Sequence, residues 1–337
     1  MKSSGEELGF EVPQEQAVRW DEVGMAQSRP VSSWLAETCR ACGAFEWVTF
    51  TYLAWVLGIL TSFHRNVPHA PLLVALHLMI AAGIACLARW GARTENEVLR
   101  FVRHWYPLPL YIFFFEELQG FVHAIFPGWF DRWLVAFDYS LAGTHPSVWL
   151  AQFASPALND FMQFAYMTYF LDLLVLPMLL YLARERAAFW RVMASTAVAH
   201  YSVYVISVLL PIESPYYSLA TLQTKALPGG YCTALIGLIE RFGRVHGAAF
   251  PSAHVAGAMV AILAAWHYRR WLFWVCLPFF VSMCVATVYG RYHYVADVLA
   301  GLGVGTFGFF VGGRLMGRAG AVPLEEVAIR GTGLQPS

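Results

Sequence analysis

The stretch GRYHYVADVLAGLGVGTFGFFVGGRL, Gly290–Leu315, joins a short polar string to a long apolar run. The apolar part, Val295–Leu315, has about the 20 residues that a helix needs to cross a bilayer. His293 and Asp297 lie at its start and are four residues apart, which places both side chains on one face of a helix. The stretch therefore predicts a membrane-spanning helix with a titratable pair at its beginning.

A second string, FPSAHVAG at Phe250–Gly257, repeats this arrangement. Ser252 and His254 open another apolar run, and serine is a favoured residue at helix N-caps. Ionisable groups at membrane depth are costly and tend to be functional. Two polar strings at two helix starts therefore suggest one active site at the membrane interface.

The composition of the 337-residue chain indicates a membrane protein. Hydrophobic residues make up 58% and charged residues only 13%, whereas soluble domains carry roughly 25% charged residues. The net charge is zero, so nothing favours nucleic acid or acidic substrates as partners. We expect an all-α, polytopic bundle of about eight transmembrane helices.

Each predicted span is an apolar run close to the required length. The third contains Glu116 and Glu117, and the sixth is short. We assign no role to these two carboxylates or to Asp172, which also lies within a predicted span. The eight spans are Phe45–Phe63, Pro71–Trp90, Tyr106–Phe126, Phe161–Ala183, Phe189–Leu210, His254–Tyr268, Trp271–Tyr289 and Val295–Leu315.

The distribution of basic residues predicts the orientation. With the N-terminus in the cytoplasm, 16 of the 22 Lys and Arg residues lie on the inner side, as the positive-inside rule expects. Both polar strings then face the non-cytoplasmic side. The excess of Arg over Lys and the richness in Ala and Gly fit a GC-rich bacterial genome. We therefore expect a bacterial inner membrane, with the active site facing the periplasm or exterior.

Two segments outside the spans carry further expectations. Residues 1–44 are predicted to form a cytoplasmic tail with a short interfacial helix around Ser32–Cys42. The long connection Pro127–Asp160 mixes bulky aromatics with isolated charges, which suits helices lying in the interface plane. It is either a lid beside the lipid path or a buried cap over the bundle.

No metal or other cofactor is predicted. Cys39 and Cys42 form the string CRAC, but a zinc site needs four ligands and no second pair follows at usable spacing. An inert pair is therefore favoured over a metal or redox site.

Two histidines, a serine and an aspartate fit phosphoryl transfer. Asp297 can accept a hydrogen bond from one ring nitrogen of His293, which leaves the other nitrogen as a nucleophile. His254 can protonate a leaving oxygen. The helix start at Ser252 offers free N–H groups to a phosphate. A lone histidine or His–Asp pair is more often structural, but their joint occurrence favours catalysis.

The two strings are similar to the second and third signature motifs of the type 2 phosphatidic acid phosphatase superfamily, roughly P-S-G-H and S-R-x5-H-x3-D. LLPIESPYY, Leu209–Tyr217, resembles the region of its first motif. FDYSLAGTHPSVWLAQFASP, Phe137–Pro156, resembles a segment of the inositol phosphorylceramide synthase-like branch. The resemblance covers most of Phe101–Leu315.

This resemblance implies a metal-independent enzyme with a six-helix core. His293 would be the nucleophile, Asp297 its orienting partner and His254 the general acid, while Ser252 would bind phosphate. The implied domains are the tail 1–44, two additional helices in 45–100, the catalytic core 101–316 and a disordered tail 317–337.

The departures from the family pattern concern phosphate-binding charge. Thr287 stands where the pattern has an arginine, and Glu213 and Ser214 stand in the region of the first motif, which lacks its Lys and Arg-Pro. A phosphoryl transition state needs electrostatic stabilisation, so another basic group should supply it. The candidates are Arg291 and Lys225, followed by Arg241 and Arg244.

The leading functional interpretation is a membrane lipid phosphate phosphatase that acts through a phosphohistidine. The alternative is a phosphotransferase that moves a phosphorylated headgroup between lipids, similar to an inositol phosphorylceramide or sphingomyelin synthase. A non-catalytic transporter or lipid-binding protein is the alternative from another class. Transporters often show inverted repeats and broken helices, and the sequence shows neither. The expected partners are the membrane and a phosphorylated lipid.

Overall fold

A computed structural model describes residues 31–91, 94–243 and 245–318. These residues form fourteen α-helices and one 3₁₀ turn, with no β-strand among them, which confirms the predicted helical bundle. The helices are α1 (Val31–Ala41), α2 (Ala44–Ser62), α3 (Ala70–Gly91), α4 (Glu97–Trp105), α5 (Pro107–Phe121), α6 (Asp131–Ala142), α7 (Pro146–Leu150), α8 (Pro156–Leu182), α9 (Arg186–Leu209), α10 (Pro215–Ser218), α11 (Tyr231–Gly243), α12 (Ala253–Tyr268), α13 (Arg270–Tyr289) and α14 (Val295–Arg318).

Six of the described helices are long and apolar enough to cross a membrane, namely α2, α3, α8, α9, α13 and α14. The other two predicted spans form shorter helices. The third becomes α5, with 15 residues, because its helix ends at Phe121 and the remaining residues turn. The sixth, already short as predicted, becomes α12 with 16 residues, and Ser252 is its N-cap. The multi-pass architecture is confirmed, with six rather than eight helices of full spanning length.

The short helix expected around Ser32–Cys42 corresponds to α1. The rest of the predicted N-terminal tail and nearly all of the predicted C-terminal tail lie outside the described residues. The domain boundaries at 44, 100 and 316 stay a prediction.

Helix α9 lies at the centre of the bundle. It packs against α2, α5, α8, α12 and α14, and most of its side chains are buried. Helix α14 approaches both α9 and α12 closely through glycines. A Cβ at Gly305 would lie 2.4 Å from the carbonyl oxygen of Ala256, and one at Gly312 would lie 2.4 Å from the Cα of Ser195. Small residues allow such close helix contacts in membranes, so α14 packs tightly against both α9 and α12.

Contacts between helix ends define two ends of the bundle. At one end, Ser207 near the end of α9 donates to the carbonyl of Phe250, which precedes α12. At the opposite end, Arg103 of α4 donates to the carbonyl of Ala41 in α1. Both polar strings therefore lie at the same end, away from α1, as the predicted topology requires.

Candidate active site

The two polar strings lie side by side. The N–H of Ser252 donates to the main-chain carbonyl of Asp297 at 3.1 Å, which ties the start of α12 to the first turn of α14. The rings of His254 and His293 meet edge to face, with centroids 6.0 Å apart. The structure thus brings together the four residues predicted to carry the chemistry.

The partners of His293 determine its tautomer. Its Nδ1 lies 2.8 Å from the carbonyl oxygen of Ala249 and 3.3 Å from Oδ2 of Asp297. A carbonyl and a carboxylate are both acceptors, so Nδ1 carries the proton and the lone pair lies on Nε2. No described residue engages Nε2. The residue is 6% exposed, so this unbonded nitrogen belongs to a largely buried side chain.

Asp297 has two roles in this arrangement. Its Oδ2 accepts the N–H of Tyr294 at 2.8 Å as well as the more distant Nδ1–H of His293. The closer acceptor for His293 is the carbonyl of Ala249, which sequence reasoning missed because a main-chain acceptor leaves no signal in residue type. Orientation of the histidine is therefore shared between Asp297 and the loop that leads into α12.

His254 is held by a tyrosine of α8. Its Nε2 lies 2.9 Å from the hydroxyl of Tyr166, and its ring packs on Tyr169 at a centroid distance of 4.6 Å. The Nδ1 of His254 is buried and has no hydrogen-bond partner among the described residues. Tyr166 also stacks on Tyr292, with centroids 4.5 Å apart, and so connects His254 to the loop that carries His293.

Ser252 is the N-cap of α12. Its Oγ accepts the N–H of Val255 at 3.3 Å, and its side chain is fully buried. The N–H groups of Ala253 and His254 precede the first intrahelical bond and stay available to an anion. The hydroxyl proton of Ser252 can point to the same anion, so the start of α12 has the donors that a phosphate needs.

The start of α14 is satisfied from another helix. Asp138 of α6 accepts the N–H groups of Val295 and Ala296 at 2.9 and 3.1 Å. Because this carboxylate occupies those donors, the start of α14 is not available to a phosphate. Asp138 therefore fixes the position of the helix that follows His293.

A second carboxylate of α6 supports the same loop. Asp131 accepts the hydroxyl of Tyr294 at 3.1 Å and the N–H of Glu213 at 3.0 Å. Tyr294 also shares a short hydrogen bond with Ser218. Neither Asp131 nor Asp138 was predicted as a site residue, because isolated charges in an aromatic segment indicated an interfacial helix.

The opposite side of α6 matches that interfacial prediction. Trp133, Phe137 and Leu141 are exposed and spaced four residues apart, so they form one apolar stripe. The two carboxylates lie seven residues apart on the other side of the helix. Helix α6 therefore has features of both predictions, a segment beside the lipid path and a cap over the bundle. One of its sides is available to lipid, and the other lies over the site.

Burial shifts the charge equilibria around this loop. Burial raises the pKa of Asp131 to about 6 and also raises the pKa of the Asp138 carboxyl. Burial lowers the pKa of Arg291, which is half-buried. The surroundings of His293 therefore disfavour added charge of either sign unless it is paired.

Arg291 lies in the same loop as His293, two residues before it. Its Nη2 donates to the main-chain carbonyl of Lys225, and its buried Nε has no partner among the described residues. Its φ angle of 67° is left-handed, which turns the loop just before His293. Lys225 is exposed, and no described residue bonds its ammonium group. The side chains of Arg241 and Arg244 lie outside the described residues.

The region that resembles the first family motif contains a carboxylate that bonds a histidine. Glu213 Oε1 lies 2.7 Å from Nε2 of His246. The ring of His246 lies between Tyr217 and Trp129, at centroid distances of 4.3 and 4.8 Å. Glu213 lies in the region where the family pattern has lysine and arginine, and His246 reaches it from a position 33 residues later.

Two further predictions concern residues outside the site. Glu117, in the predicted third span, pairs with His77 of α3 at 3.0 Å. Cys39 and Cys42 are free thiols. Among the described residues, no group of three His, Cys, Asp or Glu side chains forms a metal-binding arrangement, and metal independence stays a prediction of the resemblance.

The fold and this site define a class of protein: a polytopic helical membrane protein with a buried pair of histidines suited to group transfer. A sequence model of the PAP2 superfamily matches residues 132–311, a range that includes α6 and both polar strings. The chain therefore belongs to the PAP2 superfamily, which supports a phosphatase-type enzyme over the transporter alternative. Searches among curated proteins and among solved structures found no match.

Proposed function

We propose that this chain is an integral membrane lipid phosphate phosphatase that works through a phosphohistidine on His293. The observation that carries the proposal is the pair of acceptors on its Nδ1, which leaves Nε2 free to attack. His254 lies beside it as the acid, and the PAP2 membership supports phosphatase-type chemistry. The finer assignment to the inositol phosphorylceramide synthase-like branch also stays a proposal.

In the first step, Nε2 of His293 attacks the phosphorus atom. The new N–P bond forms as the bond from phosphorus to the lipid oxygen breaks. Protonated His254 donates its proton to that oxygen, so the lipid leaves as an alcohol. Asp297 and the carbonyl of Ala249 stabilise the positive charge that develops on the phosphorylated imidazole.

In the second step, water replaces the histidine. His254, now neutral, takes a proton from water as the water oxygen attacks phosphorus and the N–P bond breaks. Inorganic phosphate leaves and both histidines return to their starting states. Throughout, the N–H groups at the start of α12, the Ser252 hydroxyl and Arg291 would bind the phosphate oxygens.

The proposed position of this site is the non-cytoplasmic side of the membrane. The excess of Lys and Arg on the opposite side supports it, as does the location of both strings at the end of the bundle away from α1. A cysteine introduced in place of exposed Leu222, in a variant lacking the six native cysteines, should react in intact cells with a membrane-impermeant maleimide. Reaction only after cell lysis would place the site on the inside.

The phosphatase is tested with purified full-length protein and a labelled lipid phosphomonoester. We expect phosphate release without an added acceptor, no inhibition by EDTA, and a trapped phosphoenzyme that is acid-labile and alkali-stable. The His293→Ala variant should give neither product nor trapped label. Full activity of this variant would contradict the proposed nucleophile.

The phosphotransferase is a second candidate, favoured by the charges around the site. Glu213 and His246 replace the cationic first motif, while Asp131 and Asp138 lie beside the loop of His293. A phosphodiester carries less negative charge than a phosphomonoester and needs fewer cations. If a labelled phosphodiester lipid reacts only when ceramide or diacylglycerol is supplied, and the monoester releases no phosphate, the transferase is correct.

A further inference from the structure

A cavity lies at the end of the bundle opposite the candidate active site. It forms where α1 ends and α2 begins, beside α4, α9 and α14, and its empty volume is about 360 Å³ including the open mouth. None of its lining residues belongs to the proposed catalytic machinery. The residues that define its chemistry are Cys42, Gly43, Ala44, Glu46, Arg103 and Trp190.

The buried polar atoms without partners here are hydrogen-bond donors. The side chain of Arg103 is 3% exposed, and its Nη2 donates to the carbonyl of Ala41 at 3.0 Å. Its Nε and Nη1, like Nε1 of buried Trp190, have no acceptor among the described residues. Guanidinium and indole nitrogens can only donate, so this cavity needs an acceptor.

The acidic group of the cavity is already bonded elsewhere. Glu46 accepts the N–H of Gly43 at 2.8 Å and the hydroxyl of Tyr106 at 3.4 Å. Within the described part of the chain, it forms no ion pair with Arg103. Burial raises the pKa of Cys42 to about 12, so its thiol stays neutral. Glu46 therefore balances charge in the cavity but accepts no hydrogen bond from Arg103, whose Nε and Nη1 stay without an acceptor among the described residues. Buried donors without acceptors are unfavourable, which indicates that a ligand rich in acceptor oxygens completes the cavity.

The start of α2 adds further donors to this cavity. The helix has 19 residues; Glu46 accepts the N–H of its N-cap Gly43, and no side chain caps the N–H groups that follow. These groups and the helix dipole attract anions. Donors from three separate helices, α2, α4 and α9, therefore converge on the same space.

We propose that this cavity binds a phosphate-type oxyanion between Arg103, Trp190 and the start of α2. The guanidinium fork suits two oxygens of such an anion, and the indole and main-chain N–H groups bind the others. The oxyanion belongs to a lipid headgroup or to free phosphate, since both present the same oxygens. The inference does not depend on the proposed phosphatase activity.

The test measures thermal unfolding of the full chain in uncharged detergent, with the catalytic substitution His293→Ala to prevent turnover. Inorganic phosphate at constant ionic strength should raise Tm by about 5 °C. Adding Arg103→Gln should remove most of this increase without lowering the phosphate-free Tm, because it removes buried donors that lack acceptors. Arg100→Gln, at a partly buried arginine of the same helix that pairs with Glu97 and does not line the cavity, should keep the increase.

Two further arms separate the sources of the anion and the contribution of the catalytic end. Phosphatidylcholine vesicles with and without phosphatidic acid show whether a lipid headgroup gives the increase in place of free phosphate. Adding Arg291→Gln should not change how much of the phosphate-induced Tm increase is lost in Arg103→Gln. The cavity of Arg103 lies at the other end of the bundle from Arg291.

A variant that displaces the guanidinium without deleting it guards against misfolding of Arg103→Gln. A Cβ at Gly91 would lie 2.5 Å from Cδ of Arg103, so Gly91→Ala should also reduce the increase. Equal increases in the Arg103→Gln and Arg100→Gln variants would overturn the proposal. So would a lower phosphate-free Tm for Arg103→Gln with an intact increase, because that result assigns Arg103 a purely structural role.

Discussion

His293 with Asp297 and His77 with Glu117 are both buried histidine–carboxylate pairs, and they differ in which ring nitrogens are bonded. His77 uses both nitrogens: Nδ1 bonds the carbonyl of Leu73 at 2.8 Å and Nε2 bonds Glu117 at 3.0 Å. In His293, both acceptors lie near Nδ1, and no described residue bonds Nε2. A carboxylate partner is thus common to both pairs, while a free nitrogen distinguishes the candidate nucleophile.

The surroundings of the two pairs also distinguish a candidate catalytic pair from a structural one. His293 has a second histidine beside it and the open N–H groups of α12 nearby. His77 stacks on Phe114 and, through Glu117, connects α3 to α5. The first pair has the geometry that the proposed group transfer requires, whereas both ring nitrogens of the second are used to connect helices.

The largest expected effect on the rate of phosphate release comes from removing the imidazole of His293. Removing the imidazole of His77 is the matched comparison. His293→Ala should reduce phosphate release by about 10³-fold or more, because it removes the atom that forms the covalent bond. His77→Ala should leave the rate within about twofold, provided that the protein folds. Rates per folded enzyme, measured on detergent-purified protein, decide the matter. A comparable loss in both variants would mean that the free nitrogen is not the distinguishing feature.

Removal of the carboxylate charge should have a smaller effect. In serine protease triads, the corresponding Asp→Asn change costs about 10⁴-fold because the histidine takes the wrong tautomer. Here the carbonyl of Ala249 still fixes the tautomer of His293, so Asp297→Asn should lower kcat by about 10–100-fold. Glu117→Gln serves as the matched control and should leave kcat unchanged. A 10⁴-fold loss would show that Asp297 alone sets the tautomer.

Much of this arrangement is accessible from the sequence. The apolar runs identify the helices, and the i, i+4 spacing puts His293 and Asp297 on one face. The polar helix starts correctly bring His254 and Ser252 to the same end of the bundle. These features are local, so each can be inferred from a short stretch of residues.

The features that sequence reasoning missed depend on long-range packing. Asp138 reaches the start of α14 from a position 157 residues earlier, and Tyr166 reaches His254 from 88 residues earlier. No spacing rule connects such positions. Helix α5 ended sooner than predicted, since an apolar run does not by itself specify where a helix terminates.

The structural role of the second pair predicts an effect on stability without an effect on chemistry. Glu117→Leu leaves Nε2 of His77 buried without its acceptor, which costs about 1–3 kcal/mol. We expect a lower Tm and an unchanged rate per folded enzyme. Unfolding measured on the same preparation as the activity assay tests both parts. A reduced rate with an unchanged Tm would instead connect His77 to the active site.

The smallest expected effect concerns Asp131, a carboxylate at the site that bonds no histidine. Burial raises its pKa to about 6, above the value of about 3.9 in an unfolded chain. Between these values the folded state holds a proton that the unfolded state has released. Its contribution to stability is therefore complete below about pH 4, falls as the pH rises to about 6 and is constant above that.

The Tm of the wild type minus the Tm of Asp131→Asn should fall as the pH rises from 4 to about 6 and stay constant up to pH 8. A value that increases with rising pH would contradict the direction of the pKa shift. The pH profile of activity should keep its shape in Asp131→Asn, because this carboxylate contacts Tyr294 and Glu213 rather than His293. Asp297→Asn should change that profile, since its carboxylate bonds the nucleophile directly. The two aspartates would then be separated into one that supports the loop and one that acts on the histidine.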